Sequence, residues 1–248
     1  MIADTTQIGD GTEVGHYVVA GDHVRIGRSC RIGHHVVIHA GTRIGDFVRI
    51  DDHAVIGKQP MRAANSAITS AEVQPPCTIA DHCLIGTGVV LYAGCAIGER
   101  VLVADLASVR ENVTIGAFTI VGRGVVIENK CRVGRHCKIE TNAYITAYSE
   151  LEDRVFVAPG VLTSNDNFLG RTADRFRHFK GVTVRRGGRL GLGAVILPGK
   201  EVGADAVIAA GALLTRDAAS GKIHSGVPAL VLRDVPDEQL LDNQGWTD

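Results

Sequence analysis

The stretch from Thr163 to Thr183 concentrates side chains suited to chemistry: Asn165-Asp166-Asn167 near its start, then a run of arginines, His178 and Lys180. Between Arg171 and Leu190 lie seven basic residues, Arg171, Arg175, Arg177, Lys180, Arg185, Arg186 and Arg189, against one acidic residue, Asp174. Arginine forks pair bidentately with phosphate oxygens, so such a cluster suits a phosphorylated ligand; the plainer reading is a solvated charged loop. The 248-residue chain as a whole is nearly neutral, with a formal net charge of −1. No field of one sign draws it to nucleic acid or to an anionic membrane, so neither is an expected partner, and any anion site must be local. No apolar run reaches the roughly 20 residues that span a bilayer, and Met1-Ile-Ala-Asp-Thr-Thr is not a signal sequence, so a cytoplasmic location is expected.

What positions these residues is a count of six. Aliphatic residues recur at every sixth position from Ile8 to Ile56, from Ile79 to Val157 and from Val184 to Leu214, giving runs of 9, 14 and 6 hexads. This is neither helical spacing nor the alternation of a half-buried strand; it is an internal repeat. Glycine commonly follows the aliphatic residue, as at Gly27, Gly45 and Gly116, where a corner could require positive φ. The fifth position is small or branched, and Cys30, Cys83, Cys95, Cys131 and Cys137 fall there, which reads as small buried hydrophobes. Cys77 stands outside this pattern. With 45% hydrophobic but only 4% aromatic residues, the core must be narrow and layered.

Two segments interrupt the count, residues 58–78 and 163–183. Loops this long on a regular scaffold are functional or disordered, and the register resumes after each. The division is therefore a repeat body over 1–217, carrying both excursions, and a capping segment over 218–248. Pro236 is placed to start a short helix there that caps the last coil and packs Trp246.

The hexads resemble the hexapeptide-repeat superfamily. The resemblance implies an all-β fold, a left-handed parallel β-helix with three hexads per coil, hence about ten coils. At about 4.8 Å per coil the prism would stand roughly 45 Å tall. It also implies a homotrimer with ligand grooves between subunits. His16 and His34, and His35 and His53, are each 18 residues apart and so one coil apart, and His34 and His39 resemble the superfamily's carbonic-anhydrase branch. These histidines nevertheless read as surface-turn residues, and no metal is expected.

A narrower resemblance covers about residues 145–235. Leu151 to Asn165, Val184 to Gly199 and Gly226-Val-Pro-Ala-Leu-Val-Leu-Arg233 are similar to the nucleotide-linked amino-sugar N-acetyltransferases. That similarity implies acyl-CoA, most simply acetyl-CoA, as donor and the amine of a UDP- or dTDP-linked amino sugar as acceptor. In that family an Asn closing a Pro-x5-Asn stretch lies beside the reacting amine; Pro159 to Asn165 keeps the spacing, so the resemblance implies this role for Asn165. Direct attack on the thioester passes through an oxyanion without an acyl-enzyme, with Asp166 and His178 as candidate bases. Asn167, Arg171, Arg175, Arg177 and Lys180 are then expected to hold the nucleotide's diphosphate. Gly193 and Gly211, stacked one coil apart, would leave a side-chain-free column for pantetheine. Leu230 stands where relatives carry a basic residue near CoA, so Arg216, Lys222 and Arg233 are its substitutes. Two alternatives are an acyltransferase of lipid A type that draws on acyl carrier protein, and a non-catalytic scaffold.

Overall fold

The computed structural model describes residues 1–69 and 71–246. Two-residue strands repeat every six residues, and the second residue of each is the aliphatic member of its hexad: Gln7–Ile8, Glu13–Val14 and Val19–Ala20 open the series. Successive strands go to three different sheets, so every third strand is a hydrogen-bonded neighbour. The sheets hold 10, 12 and 10 strands and are named here the first, second and third faces, after these three opening strands. All pairings within the prism are parallel. Partners are offset by one coil, as in Gln7 against Arg25. The fold is all-β, a parallel β-helix of three faces, in keeping with the left-handed form that the family resemblance implied.

The core is the column of inward aliphatics with the small fifth-position residues between them. All six cysteines are free and buried. Cys77 proves to belong to the pattern: it precedes the strand Thr78–Ile79, and its Sγ lies 3.2 Å from that of Cys95 one coil on. Burial pushes the thiols of Cys83 and Cys137 up to about 11 and that of Cys131 to about 12. Thr163 extends the second run by one strand, Leu162–Thr163, with a polar residue in an aliphatic column. Its hydroxyl accepts from Thr146 N at 2.8 Å and donates to Tyr144 O at 3.0 Å, so the buried polar atom is satisfied.

The corners correct one expectation. Apart from Gly57, where the first excursion leaves the prism, the glycines that follow the aliphatic residues do not carry positive φ; they admit the next coil. A Cβ on Gly116 would lie 2.6 Å from the backbone oxygen of Gly134. Positive φ falls two residues later and is carried largely by side chains such as His35, Phe47, Phe118 and His136. Projecting at successive coils, these rings stack: Phe47 on His82 and Phe118 on His136 at 4.9 Å, and His35 on His53 at 5.0 Å. Ring contacts of this kind offset part of the αL strain.

Both excursions leave the third face and return to the first, at the same corner of the prism. One connects Val55–Lys58 to Thr78–Ile79, the other Leu162–Thr163 to Thr183–Val184. The end of the chain departs from the expected helix. Lys222–Ser225 joins the second face, and Leu230–Asp234 pairs antiparallel with it. Beyond come two 3₁₀ turns, Asp237–Gln239 and Leu241–Asn243, separated by extended Leu240. The nine residues from Pro236 to Gln244 are too few to repay α-helix nucleation, and short 3₁₀ turns replace it. The tail folds back along the side of the prism, where Leu241 N donates to Asp205 Oδ1 at 3.1 Å. Trp246 does not pack a helix; it is 61% exposed, with the Arg154 guanidinium 5.3 Å from its ring. No helix among the described residues is long and apolar enough to cross a membrane.

Candidate functional site

The second excursion is organised by Asp166. Its carboxylate accepts from Phe168 N at 2.8 Å and Gly170 N at 3.0 Å and pairs with Arg175 Nη1 at 3.2 Å. Arg175, within the 3₁₀ turn Ala173–Arg177, in turn lies over Phe176 and Phe179. Desolvation pulls the Asp166 carboxyl upward, but the Gly170 and Phe168 amides and the Arg175 guanidinium outweigh it and hold the group below its usual range. A carboxylate committed to three donors shapes the loop and is a weak proton acceptor. His178 is exposed and lies 3.3 Å from Asp174. Asn165 closes the neck of the loop, its carbonyl accepting from Lys180 N at 3.2 Å. Asn167, Arg171, Arg177 and Lys180 are exposed on the same excursion.

The run of seven cations is not one patch. Arg185 pairs with Glu152 and Glu201 at 2.8 Å each, and Arg186 pairs with Asp242 at 3.1 Å. Arg189 donates to Gln239 at 3.1 Å. These three belong to the first and second faces and the corner between them, whereas Arg171, Arg175, Arg177 and Lys180 stay with the excursion. Contiguity in sequence counted as one field what a six-residue repeat divides between two corners.

Gly193 and Gly211 do stack, and Gly160 extends their column, at the corner between the second and third faces. All three have φ between +64 and +68, and a Cβ on any would meet nothing within 4 Å. The amides of Gly193 and Gly211 already donate to Pro159 O and Leu192 O, so this edge offers room rather than hydrogen bonds. Leu162 and Leu192 beside it are 50% and 60% exposed. The strands Leu162–Thr163, Val195–Ile196 and Leu213–Leu214 run from this bare corner toward the corner that carries the excursion. The remaining donor-site residues do not join the column. Lys222 pairs with Asp234, Arg233 donates to Asp234 O at 3.2 Å on the terminal hairpin, and Arg216 lies exposed beyond Leu214.

A polar row on the third face was missed from sequence. Tyr92, Arg110, Glu128, Thr146 and Ser164 follow one another coil by coil, ending next to Asn165. Arg110 donates from Nε to Glu111 Oε2 at 2.9 Å and from Nη2 to Oε1 at 3.2 Å, with Glu128 at 3.5 Å and the Tyr92 ring 4.8 Å away. Glu111 is buried, and burial pushes the Glu128 carboxyl up, against Arg110 and with help from Glu111. The first excursion covers this row of its own chain. Ile68 O accepts from Asn129 Nδ2 at 3.1 Å, Gln74 Oε1 from Asn112 Nδ2 at 2.7 Å, and Thr69 Oγ1 from Arg110 at 3.4 Å. The signal was available: Arg110-Glu111 and Glu128-Asn129 stand where the hexad normally places glycine.

His16 stacks on His34 at 5.3 Å, as histidine turns one coil apart should. Among the described residues no three His, Cys, Asp or Glu side chains gather in a group that could hold a metal ion.

Comparison with known proteins agrees with the repeat. The family model described as bacterial transferase hexapeptide (six repeats) matches residues 5–40, and the hexapeptide repeat of succinyl-transferase matches 23–58 and 186–216. No curated protein is matched by the chain. Among solved structures, the UDP-N-acetylglucosamine O-acyltransferase of Moraxella catarrhalis is similar at TM-score 0.56 and 18% identity, over 100% of this chain and 76% of that one. The Arabidopsis UDP-N-acetylglucosamine acyltransferase is similar at TM-score 0.50 and 14% identity, over 98% and 77%. A hexapeptide-repeat acetyltransferase of Vibrio cholerae, complexed with acetyl coenzyme A, overlaps 50% of this chain and 71% of its own at 23% identity and TM-score 0.43. With hexapeptide repeats matched at both ends and three continuous parallel faces between them, the chain is a hexapeptide-repeat β-helix, the architecture it shares with these acyltransferases.

Proposed function

We propose that the protein is an acyltransferase that moves an acyl group, most simply acetyl, from acyl-CoA to the amine of a UDP- or dTDP-linked amino sugar. The observation that carries this reading is the pairing of two edges on the third face. One edge is bare backbone at Gly160, Gly193 and Gly211; the other carries the polar excursion with Asn165. Three coils give about 10 Å of open edge, along which an extended pantetheine can lie against the chain. A second copy in a homotrimer would wall the groove.

In the step proposed, the neutral amine attacks the thioester carbonyl to form the C–N bond, the C–S bond breaks, and the proton shed by the nitrogen passes through water to the leaving thiolate, giving the amide and free CoA thiol. The Asn165 side chain orients the amine and holds no proton of its own to give or take at neutral pH. Neither Asp166, committed to three donors, nor His178 has to be a strong base. If the amine has a pKa near 8, its unassisted deprotonation at pH 7 costs about 1.4 kcal/mol. Arg171, Arg177 and Lys180 are then positioned for the sugar nucleotide's diphosphate, while Arg175 holds the loop through Asp166.

The full-length structural relatives are UDP-N-acetylglucosamine acyltransferases, so that nucleotide sugar belongs among the acceptors tested. Thiol release should be followed with acetyl-CoA, longer acyl-CoAs and acyl carrier protein against UDP- and dTDP-linked amino sugars. Turnover from CoA supports the reading, and turnover from acyl carrier protein alone replaces the donor. No release with any pair, together with no thermal stabilisation by CoA or sugar nucleotide, leaves a scaffold.

A further inference from the structure

A cleft of about 810 Å³ lies between the C-terminal tail and the second face, away from the third-face edges described above. Its floor is a ladder on consecutive coils, Lys138, then Phe156, then Arg189, so a cation lies one coil to either side of an aromatic ring. Phe156 is 37% exposed, an apolar ring left in water on the face of a strand. Trp246 lines the cleft from the tail, held by the Arg154 guanidinium.

Arg189 is the unusual member. Its Nη1 donates to Gln239 of the tail, its Nη2 is buried with no hydrogen-bond partner, and no carboxylate among the described residues lies within ion-pair distance. Burial pulls its guanidinium below the usual arginine range, with Asp205 opposing. A buried donor of this kind is costly unless an anion or water completes it. Its neighbours in sequence, Arg185 and Arg186, by contrast each pair with a carboxylate.

We propose that this cleft binds a phosphorylated nucleoside, with the base against Phe156 and Trp246 and the phosphates at Arg189 and Lys138. Aromatic faces accept any base, and a lysine and an arginine about 10 Å apart, on coils either side of Phe156, match separated phosphates better than a single carboxylate. The same second-face strand that carries Arg189 leads in four residues, about 13 Å, to Gly193 on the bare corner. A ligand with a nucleotide at one end and a long flexible arm at the other would reach both, which is the shape of CoA. This link to the donor rests on the acyltransfer reading; the cleft's affinity for a nucleotide does not.

Trp246 is the only tryptophan of the chain, so its emission reports directly on occupancy. The intact protein should be titrated with CoA, 3′,5′-ADP, UDP and dTDP, with calorimetry alongside. Saturable quenching is expected, with Arg189→Gln and the exposed Lys138→Ala each weakening binding at least about tenfold. Preference for CoA and 3′,5′-ADP assigns the cleft to the donor, and preference for UDP or dTDP assigns it to the acceptor's nucleotide. No quenching and no heat up to about 1 mM of any nucleotide would overturn the proposal. So would unchanged affinity in both variants. Binding without thiol release leaves the cleft standing and removes the acyltransfer reading; thiol release in which neither the CoA KM nor the sugar-nucleotide KM responds to Lys138→Ala does the reverse.

Discussion

Asn165 and Glu128 stand on one edge of the third face, two coils apart, and they differ in what they can be expected to do. Asn165 is partly exposed at the neck of the excursion, its backbone tied to Lys180 and its side chain available to a substrate. Asn165→Ala should lower kcat at least about tenfold in steady-state kinetics while leaving Tm within a degree or two, since the loop is closed through its carbonyl. Glu128 is a carboxylate whose folded pKa is raised, chiefly by burial. A raised acid contributes stability below its unfolded pKa and loses it as pH rises through the folded value. At neutral pH the ionised Glu128 therefore weighs against the fold. Glu128→Gln should raise Tm by about 1–3 °C at pH 7–8, and the gain should vanish near pH 4, measured by thermal melts across pH. A loss of stability at neutral pH would show instead that its contact with Arg110 dominates.

At the scale of the hexad the sequence was legible almost to the residue, because strand, corner and core repeat with one period. The aliphatic columns, the buried cysteines and both excursions lie where the count places them. What it concealed has physical causes. The glycines after the aliphatic residues, Gly57 apart, serve close approach between coils rather than a left-handed backbone, a distinction invisible in one dimension. Gly116→Ala should cost about 1–3 kcal/mol by urea unfolding, because the opposing atoms are Gly134 and Arg135 backbone and have nowhere to move. Gly193 is the other kind of glycine: φ is positive and the space above it is open. Asn142 occupies the same corner column with φ of 59, so asparagine fits this conformation. Gly193→Asn should therefore fold normally yet raise the KM for acyl-CoA about tenfold or more by filling the groove. The row Arg110-Glu111 and Glu128-Asn129 escaped notice because a single polar residue in a hexad looks like surface; only the stacking of coils, and the first excursion folded over it, make it a buried cluster.

For the molecule as a whole, the near-zero net charge proved less informative than where the charges lie. Seven cations close in sequence divide between the corner that carries the excursion and the corner that carries the tail, and the proposed division of labour follows: acceptor at one, nucleotide cleft at the other, bare glycine edge between. A groove walled by a neighbour predicts an assembly of three chains of 26.2 kDa each by light scattering. A monomer at assay concentrations would leave the glycine edge without its second wall. The central claim is that acyl transfer happens between the glycine edge and the Asn165 excursion. Its most direct test is thiol release from acetyl-CoA in the presence of UDP- and dTDP-linked amino sugars, compared across wild type, Asn165→Ala and Gly193→Asn. The predicted result is turnover in which the first variant loses kcat and the second loses apparent affinity for the donor; turnover that neither substitution affects would contradict it.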